Sequence, residues 1–375
     1  MKHEKSLAFS LCVIVAFVLL AGAPAAVAAG PYTQIGTITV PGGITQVDIM
    51  WTDPSSDLLY LANDGAAKGA GRVDVFDTHT DKYLYSIGLG NFVGLFDATH
   101  CCNGPTGVLP VTPQRELWAG DGNSTIKVID MDRNDITSII NTGGKNRADE
   151  MAWDPKDHLL IIGNPSEPSG GAGNFLAVIN TDTKLIQGKI FYPNSTGLEQ
   201  PVWDPTANRF YVPIDGDVSE VDVIDPTKVV GSCTITTGAN CGVTSQVVVS
   251  GCPSISGMAL LPNERLMLSC GVILGMPAGN VVAQLHNPTT GGAISGDEIY
   301  YNPGDNQVYW GSAAPWVVDV GTMTVTQLAP AKPGSHVIAA SSNNNHVYLP
   351  STACGCLEVF APAADQPAGS TPFVH

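Results

Sequence analysis

The stretch DEMAWDPKDHLLIIGN (residues 149–164) decides the fold: a short apolar strand, a turn built on Asp-Pro, and a second strand. The phrase returns as EQPVWDPTANRFYVPIDG (199–216) and DEIYYNPGDNQVYWGS (297–312), and four more times in looser form. Its second strand is the clearest column: LLYLAN (58–63), ELWAGD (116–121), LLIIGN (159–164), RFYVPI (209–214), RLMLSC (265–270), QVYWGS (307–312) and HVYLPS (346–351). A third strand often follows and ends in Asp or Asn, as in RVDVFD (72–77), FLAVIN (175–180) and EVDVID (220–225). No segment keeps a 3.6-residue period. A strand-based repeat of about 40–50 residues means a propeller or a solenoid. Seven units predict an all-β chain, a seven-bladed β-propeller whose blades are four-stranded antiparallel sheets around a channel. A strand near Ile35–Val40 is expected to join the last blade and close the ring, removing exposed edges.

The two ends are set apart from this domain. Lys2 and Lys5, the apolar run Leu7–Leu20 and Ala26-Val27-Ala28 have the order of a signal peptide over residues 1–28. The propeller is expected over 29–362 and a disordered tail over 363–375. The leader's apolar run is short for a span, and no second one of membrane length follows, so no stable membrane insertion is expected. Removing residues 1–28 takes away two lysines and one glutamate and moves the net charge from −17 to −18. That balance argues against nucleic acid, whose phosphates need Lys and Arg. It suits a soluble, secreted or periplasmic monomer that attracts cations or a cationic partner.

Nine cysteines agree with export, because Cys12 leaves with the leader and eight remain for disulfides. Cys233 with Cys241, and Cys252 with Cys270, are plausible local pairs. Cys101-Cys102 and Cys354-Gly355-Cys356 leave the pairing open, including cross-pairing between the two clusters. A zinc site at His100, Cys101 and Cys102 is the alternative, though adjacent ligands are unusual.

Alignment of the first strands on their turns stacks Asp48, Thr106 or Gly107, Asp149, Glu199, Ser256, Asp297 and His336 in one column. The next column adds Glu150, Gln200 and Glu298. Innermost strands line a propeller's channel, so these acids converge at one mouth. Such a ring is costly unless a cation, a shared proton or water compensates it. A hard cation would take several of its oxygens, and a carboxylate near like charges becomes a competent acid or base. Such acids can also simply fix loops against a neighbouring blade. Trp51, Trp153 and Trp203, near the turns, read as packing between blades. Gly-rich insertions at 64–71, 91–104, 165–173, 238–252 and 271–279 should decorate the same mouth.

The units, such as GPTGVLPVTPQRELWAGDGNSTIKVIDM (104–131), resemble the YVTN-type propeller repeats of secreted and cell-surface proteins, which implies the fold. Glu199-Gln200-Pro201-Val202-Trp203-Asp204 is similar to the E-G-P-V-W-D strand of the senescence marker protein/gluconolactonase family. That resemblance implies a divalent-cation ligand at Glu199 and lactone hydrolysis by a channel acid, for which Asp297 stands at a suitable position. Gln200 departs from the family's Gly, and that family has six blades.

The leading expectation is therefore a hydrolase or lyase acting on a small polar molecule, a sugar derivative or lactone. Glu199, Asp149 and Asp48 would hold a divalent cation (calcium, manganese or zinc). His336, Asp297, Glu298 and Glu150 would handle the proton. The competing expectation is a non-catalytic propeller that docks a peptide, glycan or partner protein on its loop face. A quinone-bearing oxidoreductase is a weaker third, pointed to only by Cys101-Cys102.

Overall fold

The recurrent Asp and Asn residues are turn caps. Asp53, Asp154, Asp204 and Asn302 end innermost strands, and each side chain accepts the backbone N–H two residues on, from Ser55, Lys156, Thr206 and Gly304. The fourth turn position, at Asp57, His158, Asn208 and Asn306, takes positive φ, which Asn and Asp tolerate better than branched residues. Asp77, Asp130, Asn180, Asp225 and Asp319 cap the turn after the third strand in the same way, accepting an N–H two or three residues on. The repeat thus specifies hairpins with fixed register, and the register sends alternate side chains between blades.

The computed structural model describes residues 32–95, 102–168, 171–235, 240–328 and 335–363. The proposed leader and almost all of the proposed tail lie outside them, as does Cys101. Seven sheets form, led by strands Val47–Asp53, Val108–Val111, Met151–Asp154, Gly197–Leu198 with Val202–Asp204, Met258–Leu261, Ile299–Asn302 and Ala339–Ala340. We number the blades 1 to 7 in that order. Tyr32–Thr39 pairs antiparallel with Cys356–Pro362, Thr39 opposite Cys356, and so closes blade 7. At this seam Tyr32 Oη donates to Asp305 Oδ2 of blade 6 at 2.5 Å. Tyr32→Phe should cost about 1 kcal/mol in urea unfolding, since Tyr309 still satisfies Asp305.

The second-strand column is the core: Leu59, Trp118, Ile161, Tyr211, Met267, Tyr309 and Tyr348 are all buried. Its side chains interlock between neighbouring blades, as where Trp118 and Val128 of blade 2 meet Leu160 and Ile162 of blade 3. Among the described residues no helix is long and apolar enough to cross a membrane.

Several details depart from expectation. Blade 3 carries a fifth strand, because Gly231–Thr234, from the excursion after blade 4's third strand, pairs parallel with Leu185–Tyr192. Residues 271–279 are not an insertion: Val272–Gly275 is the third strand of blade 5. The middle of 238–252 is likewise not an insertion but the outer strand Val243–Val248 of blade 4. Cys233–Cys241 and Cys252–Cys270 bond as expected. Cys354 bonds Cys356, which overturns cross-pairing to the distant cluster. Cys102 is also disulfide-bonded, so it is not a thiolate free for zinc.

Candidate functional site

The mouth is assembled by backbone before any side chain reaches it. Blade-leading loops bond across blade boundaries: Ile49 N–H to the Thr106 carbonyl, Gln200 N–H to Ser256, and Glu298 N–H to His336. Thr106 Oγ1 donates to the Ala148 carbonyl at 2.5 Å. Two blades contribute glycine where others contribute an acid, because the neighbouring chain comes too close for a Cβ. A Cβ on Gly107 would strike the Asp149 carbonyl, and one on Gly257 the Asp297 carbonyl. Blades 2 and 5 therefore give up a side chain so that the carboxylates of blades 3 and 6 can seat.

Asp48 and Asp149 sit together with Arg147, a residue the column alignment does not include. Arg147 Nε lies 2.8 Å from Asp149 Oδ2, and Nη1 lies 3.6 Å from Asp48 Oδ2. His336 Nε2 stands 3.8 Å from Asp48 Oδ1, with its side chain 42% exposed. Arg147 could have been noticed two residues before Asp149, as a cation in a segment that leads into the mouth. Its charge also acts on Glu199, whose position in the break between Gly197–Leu198 and Val202–Asp204 follows from Pro201. Glu150 and Glu298, from blades 3 and 6, meet carboxyl to carboxyl. Both are buried, and the Oε2 atom of each lacks a partner.

Electrostatics divide this cluster. Burial pushes the Asp149, Glu150 and Glu298 carboxyls well above the usual range, and the neighbouring acids add to it. Burial raises Glu199 to about 7, against the pull of Arg147. Asp64, in the loop after blade 1's second strand, is another acid the column alignment leaves out. Burial raises it to about 8, with Asp48 contributing. Asp48 is the exception: burial acts upward, but His336 and Arg147 outweigh it and hold it below its ordinary value. Asp48 in turn raises His336 despite burial acting the other way. Protons and one guanidinium thus compensate the ring.

The proposed metal ligands do not converge as a chelate. Among the described residues no three His, Cys, Asp or Glu side chains are placed to hold an ion. Asp48 and Asp149 face a guanidinium, an arrangement that repels a dication, so this donor set does not fit one as it stands. The proposed proton-handling residues fall into two places. Glu150 and Glu298 are deep in the channel. Asp297 and His336 line an open cavity of about 510 Å³ between blades 5, 6 and 7, with Ser295, Ser312 and Trp316 beside them.

Fold and site together define a seven-bladed β-propeller with an acidic channel mouth. No known family matches the chain, and no curated protein matches it either. Among solved structures it is similar to a chain in a crystal structure of the mitotic checkpoint complex. The TM-score is 0.62, at 12% identity, over 96% of this chain and 98% of that one. At that identity the similarity concerns the fold alone.

Proposed function

We propose that the chain is an exported enzyme of hydrolase or lyase type, acting on a small polar molecule such as a lactone or sugar derivative. The observation that carries this is His336, which stands beside Asp48 and lines a cavity that also holds Asp297. Asp48 favours the imidazolium, so His336 is suited to donate a proton to a leaving oxygen. Asp297, on the same wall, is suited to take one from water or from a substrate carbon. Arg147 and His336 flank Asp48, and the buried acids behind them take no direct part in this reading. The three described disulfides are compatible with maturation outside the reducing cytosol.

The test is a lactone and glycoside panel on the purified protein, with and without EDTA. His336→Ala and Asp297→Asn should each lower kcat by about 10²–10⁴-fold while circular dichroism at the assay temperature stays that of the folded protein. EDTA should have no effect. Full turnover in both variants would sink the catalytic reading, and a chelator-sensitive activity would restore a metal to it.

A docking role keeps one specific support. The loops over the mouth are rigidly held: Asp121 accepts the Val93 and Gly122 N–H groups while paired with buried Lys127, and Asp215 accepts from Ile255. A fixed loop face of this kind suits recognition of a peptide, glycan or partner protein.

A further inference from the structure

The innermost strands begin at the acids and end, at the opposite mouth, on aromatic rings. There a cavity of about 510 Å³ is lined by Trp51, Trp153, Trp203, Tyr300 and Tyr301, which come from blades 1, 3, 4 and 6. The three tryptophans pack partly against the inter-blade core, as the sequence suggests, but they remain half-buried and also form this wall. The indole N–H groups of Trp153 and Trp203 are buried without an acceptor. What those residues leave accessible is therefore carbon, the π-surface or its edge. Trp51 and Tyr300 hold each other edge-on at 5.7 Å, and the Tyr300 hydroxyl is engaged by Thr52 Oγ1 at 2.6 Å.

The charge of the lining is one-sided. Among the described residues no lysine, arginine or histidine lines the cavity, and Asp53 stands in its wall. At the inner end, Ile299 lies one residue from Glu298 and Ala152 two from Glu150. Much of the polar lining is already engaged, Ser55 with Asp53, Thr52 with Tyr300 and the Ala340 carbonyl, and Tyr301 with Asn306, which leaves few partners for the hydroxyls of a sugar. An anion would meet the Asp53 side chain and the negative faces of the rings. A cation that carries apolar surface meets aromatic rings, which attract it, in a strongly acidic chain, which draws it in.

We propose that this cavity is a second binding site, distinct from the mouth that holds His336, and that it takes an organic cation: a quaternary or alkylated ammonium attached to a flat apolar group. Benzyltrimethylammonium is the probe, followed by tryptophan fluorescence and calorimetry on the full-length mature protein. Benzyl alcohol and benzoate serve as neutral and anionic comparators. The ammonium should bind with Kd of about 0.1–1 mM, at least about tenfold tighter than benzyl alcohol, with benzoate weakest. Trp153→Leu and Trp203→Leu should each weaken it about tenfold, while His336→Ala leaves it unchanged. Should the leucine variants not fold, the order of the three probes on the unmodified protein decides. Benzyl alcohol binding as tightly as the ammonium would overturn the proposal in favour of a plain apolar pocket. So would no response up to about 10 mM, or loss of binding in His336→Ala.

Discussion

Arg147→Met should destabilise the protein by about 3–5 kcal/mol near neutral pH, and by much less in mild acid. The guanidinium touches Asp149 and Asp48 and lies in the field of Glu199 and Glu150. Methionine fills similar volume, so the packing loss is small and the electrostatic loss dominates. Without the cation, buried acids must either stay charged and unpaired or bind protons. In mild acid the protons are available and the cost shrinks; at neutral and higher pH they are not. Urea unfolding of wild type and variant at two pH values reads the difference directly. An equal loss at both would mean that Arg147 acts through packing. No loss at either would mean that the acids are compensated by something else, a bound cation first among the candidates.

The fold was legible because its signals are local and repeated. A buried second strand recurs seven times, four of the copies follow a turn capped by Asp or Asn, and each copy constrains the others. Ring closure followed from one spare strand. What escaped was structure that depends on a neighbour in space. Gly231–Thr234 joins blade 3 through a parallel pairing 40 residues away in the chain. Val272–Gly275 read as a Gly-rich loop because its flanking glycines, Gly271 and Gly279, take positive φ at the hairpin ends.

The site was legible by residue type and opaque in its chemistry. The column of acids is visible in the alignment of turns, including Asp48 and His336, which meet across the closing seam between blades 1 and 7. Whether such a ring holds a metal, protons or an internal cation turns on one side chain. Arg147 sits outside the column because the segment Gly143–Ala148 approaches the mouth from the loop side. Asp64 was invisible for the same reason, lying in a loop after a second strand. The roles of Trp51, Trp153 and Trp203 were half readable: packing is one face of each ring, and the cavity wall is another.

Thermal stability should be greatest near about pH 5 and fall by several kcal/mol, on the order of 5, toward about pH 8. A carboxyl whose pKa is higher in the folded than in the unfolded chain holds its proton more tightly when folded. Its contribution is complete below the unfolded pKa and is lost as pH rises through the folded one. For Glu199 that window runs from 4.5 to about 7, and for Asp64 from 3.8 to about 8. Asp149, Glu150 and Glu298 push the same way, and so does His336, whose protonated form the fold favours. Asp48 opposes them, as Asp319 does further out: the pKa of each is lowered, so its contribution is present above 3.8 and is lost only as pH falls below that value. The falling alkaline limb therefore belongs to the buried acids, and the acid limit to these lowered carboxylates. Glu150→Gln should flatten the alkaline limb, because an amide can hydrogen-bond Glu298 without a proton to lose. A melting temperature that holds level or rises from about pH 5 to 8 would contradict the raised values. It would mean that the channel acids are ionised in the folded protein and are neutralised by more positive charge than Arg147 brings.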